Sequence, residues 1–176
     1  MTVKRTQLSP WLVLFRIYAG FFWLVHGLPK FLQPDRFLPP NGFMPMMIQR
    51  SVGQNTGFYH DFLVNTVLPN IGLFAQLVRF GEVLTGISLL LGLLTPLGAI
   101  VGCFLALNYM GANGEYAKIS GYTTLDAAAF VLSFMVLMLG LGRVASLDSL
   151  LFRRRTRALV PEFVAEPPPG PHAPAD

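Results

Sequence analysis

The sequence predicts an all-α integral membrane protein, a four-helix bundle with an outward-facing cap segment between helices 1 and 2. Three observations predict it. Hydrophobic residues make up 53% of the 176 and charged residues only 12%, about half the charged share of a soluble domain. Four apolar runs stand out, at residues 11–32, 71–94, 97–110 and 125–141, and a spanning helix needs about 20 such residues. Basic residues gather at the two ends: Lys4 and Arg5 before the first run, and Arg153, Arg154, Arg155 and Arg157 after the last.

The first run starts too late and is too long for an ordinary signal peptide, and no small-residue cleavage site follows it, so it is expected to persist as a helix. The second, IGLFAQLVRFGEVLTGISLLLGLL, carries Arg79 and Glu82 one helical turn apart. A charge at membrane depth costs at least about 2.5–3.5 kcal/mol, and such a group usually faces a protein interior and has a partner. The third run is short, but Thr95 and Pro96 mark a tight break after the second, and the two form a helical hairpin. The fourth closes the bundle.

Four crossings put both ends on one side, and the positive-inside rule makes that side the cytoplasm. The connections at residues 33–70 and 111–124 then face outward, and they carry fewer basic residues. The net charge of +4 is read as topology and contact with the anionic lipid of the bilayer, with no nucleic-acid partner.

Residues 33–70, rich in Pro, Gly, Met and aromatics, are too polar to cross and too apolar to float freely. Phe58, Phe62 and Val67 with Tyr59 and Leu63 allow a short amphipathic helix lying on the outer face. Residues 161–176, PEFVAEPPPGPHAPAD, are a proline-rich tail expected to be extended. The chain therefore divides into a membrane domain, 1–160, and a tail, 161–176.

Missing residue types limit the chemistry. Cys103 is the single cysteine, so no internal disulfide or thiol-pair redox chemistry is available. A bis-histidine haem needs two membrane histidines, and only His26 lies in a span. No thiolate cluster can hold iron–sulfur or zinc, and the glycines sit inside apolar spans and not in nucleotide loops.

Placed on helical faces, the polar residues form stripes. Arg16, Gly20, Trp23, Gly27 and Lys30 share one in the first span, with His26 at its edge. Gln76, Arg79, Glu82, Val83 and Gly86 share another in the second. Gly98, Gly102, Ala106 and Tyr109 make a small-residue seam in the third, with Asn108 close by, and Asp126, Ser133 and Gly140 recur in the fourth. At about 1.5 Å per residue, Glu82 comes near the midplane, while His26, Lys30, Asn108 and Asp126 fall in the outer half or at its edge. Arg16 lies alone in the inner half. The polar residues are thus expected to line a pocket opening outward beneath the cap.

The segments RIYAGFFWLVHGLPKF and LVRFGEVLTGISLLLGLLTPLGAIVGCFLALNYMGANG resemble the DoxX/DoxD family over roughly residues 11–150. The matching features are Arg16, the Gly27 and Lys30 pair, and Gly81 with Glu82. The LPN before the second span and Asn108 lie closer to the DoxD side. The resemblance implies a four-helix membrane subunit that works with redox partners, other protein subunits of a membrane complex, and the expected location is the bacterial cytoplasmic (inner) membrane. DoxD-like proteins belong to a thiosulfate:quinone oxidoreductase, and DoxX-like ones to complexes of sulfur and oxidative-stress chemistry.

These readings combine into one expectation. The chain is the membrane subunit of a quinone-linked oxidoreductase complex, anchoring redox partners. It binds quinone or quinol through Arg79, His26, Asn108, Asp126, Arg16 and Lys30, and transfers protons through Glu82. Each residue also has a plainer reading. Arg79 and Glu82 can be a structural ion pair, and Arg16 can neutralise a carboxylate or snorkel inward. His26 can be an ordinary hydrogen-bonded helix residue, Lys30 an interface anchor, and Asp126 a helix-dipole partner. The alternative from another class is a non-catalytic structural subunit of a respiratory or photosynthetic complex. A transporter is disfavoured, because four helices without an inverted repeat make a poor alternating-access machine.

Overall fold

The computed structural model describes residues 10–141 and 146–148. The basic residues at both ends and the tail from 161 lie outside the described residues. Those described are helical or in turns: α1 Pro10–Leu32, α2 Pro34–Phe37, α3 Phe43–Gln54, α4 Gly57–Phe62, α5 Ile71–Leu91, α6 Thr95–Ala112 and α7 Leu125–Met138. Helix α1 packs along α5, α5 on α6, α6 on α7, and α7 on α1.

Among the described residues, three helices are long and apolar enough to cross a membrane: Trp11–Leu32, Gly57–Leu91 and Thr95–Ala112. Helix α7 is a shorter apolar helix of 14 residues, about 21 Å at the usual rise. The sides of these helices turned away from one another carry large exposed apolar chains at steps of three and four, as in Leu73, Leu77, Phe80 and Leu84. Arg16, Glu82, Thr85 and Ser133 are buried instead. Polar groups inside and greasy stripes outside suit a hydrocarbon surround.

Glycine sets the α1–α5 spacing. A Cβ on Gly20 would lie 2.5 Å from the Leu90 backbone nitrogen, and one on Gly86 2.6 Å from Leu24 Cγ. Only hydrogen at these positions lets the two backbones approach so closely. On the far side of the core, Trp23 Nε1 donates to Ser133 Oγ at 3.0 Å, joining α1 to α7, and Gly102 leaves room for that pair.

The second run departs from its expected bounds. Helix α5 ends at Leu91, where Gly92 turns left-handed at φ 67°, whereas the run was expected to continue to residue 94. At its start, α4 leads through a π turn, Leu63–Val67, and a 3-10 turn, Leu68–Asn70, directly into α5. Gly57–Leu91 therefore forms one apolar helical path of 35 residues, longer than the roughly 20 needed to span. The short amphipathic helix expected around residues 58–67 is the first part of this path. Helix α6 likewise begins earlier than expected. Pro96 sits in its first turn, where a missing N–H breaks no helix bond.

The remainder of 33–70 holds the helices α2 and α3, joined by turns. Ile48, Leu63 and Val67 form a small core of their own, flanked by Met44, Val52, Tyr59, Phe62 and Phe74. Two hydrogen bonds fasten it to the end of α6: Tyr59 Oη donates to the Asn108 carbonyl at 2.9 Å, and Asn55 Nδ2 donates to that of Ala112 at 3.3 Å.

At the opposite end, Asp148 accepts from the Leu94 and Thr95 amides at 2.7 and 2.9 Å, and its own amide donates to the Gly92 carbonyl at 2.9 Å. A downstream carboxylate thus satisfies the free N–H groups and positive dipole end of α6.

Candidate functional site

Glu82 lies on the inward stripe of α5, and its side chain is only 2% exposed. A buried carboxylate needs compensation, and two helices supply it. Lys30, at the end of α1, makes an ion pair through Nζ with Glu82 Oε2. Tyr109, on α6, donates its hydroxyl to Glu82 Oε1 at 2.6 Å. Each carboxylate oxygen thus has its own donor from a separate helix. The Lys30 ammonium also lies 5.1 Å from the Phe37 ring centroid and 5.7 Å from that of Tyr109. One turn along α5, Thr85 Oγ1 is buried without a hydrogen-bond partner among the described residues.

The partner of Glu82 is thus Lys30 and not Arg79. Arg79 is one turn away on α5, but its Nε donates to Gln76 Oε1 at 2.6 Å. Its guanidinium lies over Phe31 and Phe80, 4.5 and 5.5 Å from their centroids. Two aromatic faces draw the guanidinium outward through cation–π attraction. Lys30, expected as a site residue and on its plainer reading an interface anchor, turns inward onto Glu82, its side chain 21% exposed.

A second polar contact lies beside the first. Asn113, which caps α6, donates through Nδ2 to Asp126 Oδ2 at 2.8 Å. Asp126 stands in the first turn of α7, behind the capping hydroxyl of Thr124. His26, Lys30 and Glu82 all lie within electrostatic reach of this carboxylate. His26 itself uses Nδ1 on its own helix, 2.8 Å from the Phe22 carbonyl, and its ring lies 4.5 Å from the Phe22 ring at a tilt of 33°.

The expected site residues separate into two sets. Glu82 and Lys30 are paired directly, and Asp126 lies within electrostatic reach of both and of His26. Arg79, Asn108 and Arg16 do not join them. Asn108 turns its amide onto the Phe104 carbonyl of its own helix at 2.8 Å. Arg16 is 2% exposed at the other end of α1, where Nη1 donates to the Leu141 carbonyl at 3.2 Å within reach of the Asp148 charge. The residues not anticipated as site members are Tyr109 and Asn113. Their signal was the four-residue interval that puts both on the face of α6 shared with the small-residue seam.

A polar cleft of about 320 Å³ opens above this cluster, lined by Arg50, Gln54, Asn113, Glu115, Lys118 and Thr124 among others. It lies between α3 and the α6–α7 connection. None of the seven residues expected to form a site lines it. Asn113 links the two regions, since it lines the cleft and bonds Asp126. No group of three or more His, Cys, Asp or Glu side chains among the described residues could hold a metal ion.

No curated protein and no solved structure matches the chain. A family model does: that of the TQO small subunit DoxD, over residues 11–160. The match takes in α1, α5, α6 and α7 and every residue of the Glu82 cluster, and the chain belongs to the DoxD family.

Proposed function

We propose that this protein is the membrane subunit of a quinone-linked oxidoreductase, as the thiosulfate:quinone oxidoreductase of its family is. Residues 1–160 form a four-crossing membrane domain with a cap on the outer side and both termini in the cytoplasm, and 161–176 an appended tail. The subunit anchors its redox partners and binds quinone or quinol beside Glu82, which exchanges the proton. The observation that carries this reading is the buried Glu82 carboxylate held by Lys30 and Tyr109. A quinone needs an apolar slot with a few hydrogen-bonding groups and a path for protons. The Tyr109 hydroxyl, the Lys30 ammonium, the Thr85 hydroxyl and the carboxylate are such groups among apolar neighbours.

The test is Glu82→Gln, which keeps size and hydrogen bonding but removes charge and titration. The variant is expected to assemble normally and to lose quinone-dependent turnover. Full turnover with normal assembly overturns the proton role.

The second reading, a structural subunit of a larger complex, draws on the closure of the site. Both oxygens of Glu82 already have protein donors, which is sufficient for a packing role. Failure of assembly in Glu82→Gln and in Lys30→Gln, with recovery in the double variant, establishes that reading.

A further inference from the structure

We propose that Asp126 is the outer station of a proton route joining the polar cleft to Glu82, with Asn113 as the residue that positions it. The inference rests on the quinone-linked reading and extends it: a carboxylate that exchanges protons so deep in the protein needs a way to the water outside.

Helix α6 provides the frame. Tyr109 and Asn113 are four residues apart, so they stand on the same face, about 6 Å apart along the axis. Tyr109 holds Glu82. Asn113 holds Asp126 and also lines the cleft. Two carboxylate contacts are thus stacked one turn apart on one helix face, and the upper one borders the cleft. The titratable groups that face Asp126 come from two neighbouring helices, His26 and Lys30 from α1 and Glu82 from α5, with the neutral Asn113 from the end of α6. The Lys30 ammonium is paired with one of the two carboxylates and lies within electrostatic reach of the other.

Other directions are less suitable. Large exposed apolar side chains cover the outer stripes of α5 and α6, and a proton does not cross such a surface. Toward the other end of the bundle, Trp23, Leu89 and Ala99 close the core. Lys30 is partly exposed, but its ammonium is a donor with no lone pair to receive a proton.

The step itself is a proton transfer without a redox change. Asp126, protonated from water in the cleft, gives its proton inward and becomes a carboxylate. Glu82 receives it and becomes a neutral acid, while Lys30 remains an ammonium. Outward release runs the same path in reverse.

The experiment uses the full chain in lipid bilayers, with time-resolved infrared absorption of the protonated carboxyl after a jump to acid pH. Loss of a band in Glu82→Gln assigns that band to Glu82. Asp126→Asn is expected to slow its appearance about 10²-fold, the scale of a positioned acid–base group, with the final amplitude unchanged. Asp126→Glu should restore the rate. Asn113→Ala, which keeps the carboxylate but removes its positioning partner, should slow it less, and it serves if Asp126→Asn fails to fold. An unchanged rate in Asp126→Asn and Asn113→Ala overturns the route, as does the absence of any Glu82 band. Quinone binding to the unaltered protein is titrated separately. Asp126-dependent protonation without quinone binding supports the route and defeats the quinone reading. Quinone binding with an Asp126-independent rate does the opposite.

Discussion

Lys30 and Glu82, separated by 52 positions in the chain, meet as an ion pair between the end of α1 and the middle of α5. Tyr109 of α6 completes the contact from the other side. Three helices thereby agree on one register, because each must bring its polar group to the same buried carboxylate.

Removing one partner of that pair should be costly. Lys30→Met leaves Glu82 buried beside Tyr109 alone, and loss of one member of a buried pair typically costs about 3–5 kcal/mol. Because Lys30 is partly exposed, the lower end of that range is expected. Thermal unfolding in detergent should show a clear drop in Tm for Lys30→Met, and Lys30→Met with Glu82→Gln should recover most of it. A single variant as stable as the unaltered protein would mean that the pair adds nothing.

Tyr109→Phe removes one hydroxyl and leaves the ring packed. A hydrogen bond to a charged acceptor contributes about 1.5–3 kcal/mol, so stability should fall by about that amount while Lys30 keeps its place. Quinone-dependent turnover should fall as well, since the variant removes a donor from the proposed binding groups. Comparing the loss of turnover with the loss of stability separates the two contributions.

Gly20→Ala should destabilise the α1–α5 contact although alanine favours helices by about 1 kcal/mol. The added methyl would stand 2.5 Å from a backbone nitrogen of α5, and backbone cannot swing aside as a side chain can. A net cost of about 1–3 kcal/mol is expected. Gly53→Ala is the control, because nothing lies within 4 Å of its added carbon.

Asp148→Ala removes the acceptor for the Leu94 and Thr95 amides. Loss of a helix cap costs about 0.5–2 kcal/mol, and Asp148→Asn, which keeps one acceptor oxygen, should cost less. Hydrogen exchange at the first turn of α6 is the local readout. Equal protection in all three proteins would show that the cap is dispensable.

The proposed topology is tested by accessibility. With Cys103 replaced by serine, a cysteine at Gln54, an exposed position lining the cleft, should react with an impermeant thiol reagent in intact cells. One at Thr156 should not. The reverse pattern would turn the protein over in the membrane and place the cleft in the cytoplasm.

The sequence by itself determined the all-helical class, the apolar helices and the family. Those follow from composition, run length and local spacing, which are properties of neighbouring residues. It also pointed to Glu82, since a lone carboxylate in an apolar run is too costly to be incidental. The tertiary structure decided which partner Glu82 takes. Arg79 is nearest in sequence, yet Phe31 and Phe80 attract its guanidinium, and Lys30 and Tyr109 arrive from other helices. Helix α5 begins as the continuation of α4 because the π and 3-10 turns carry the chain past Pro69 without a break, although the second apolar run was expected to start a separate helix at residue 71. Asn113, Asp126 and Asp148 likewise gained their roles from contacts between distant segments. Helical periodicity assigns a residue to a face, but the helix opposite that face is chosen by how the bundle closes.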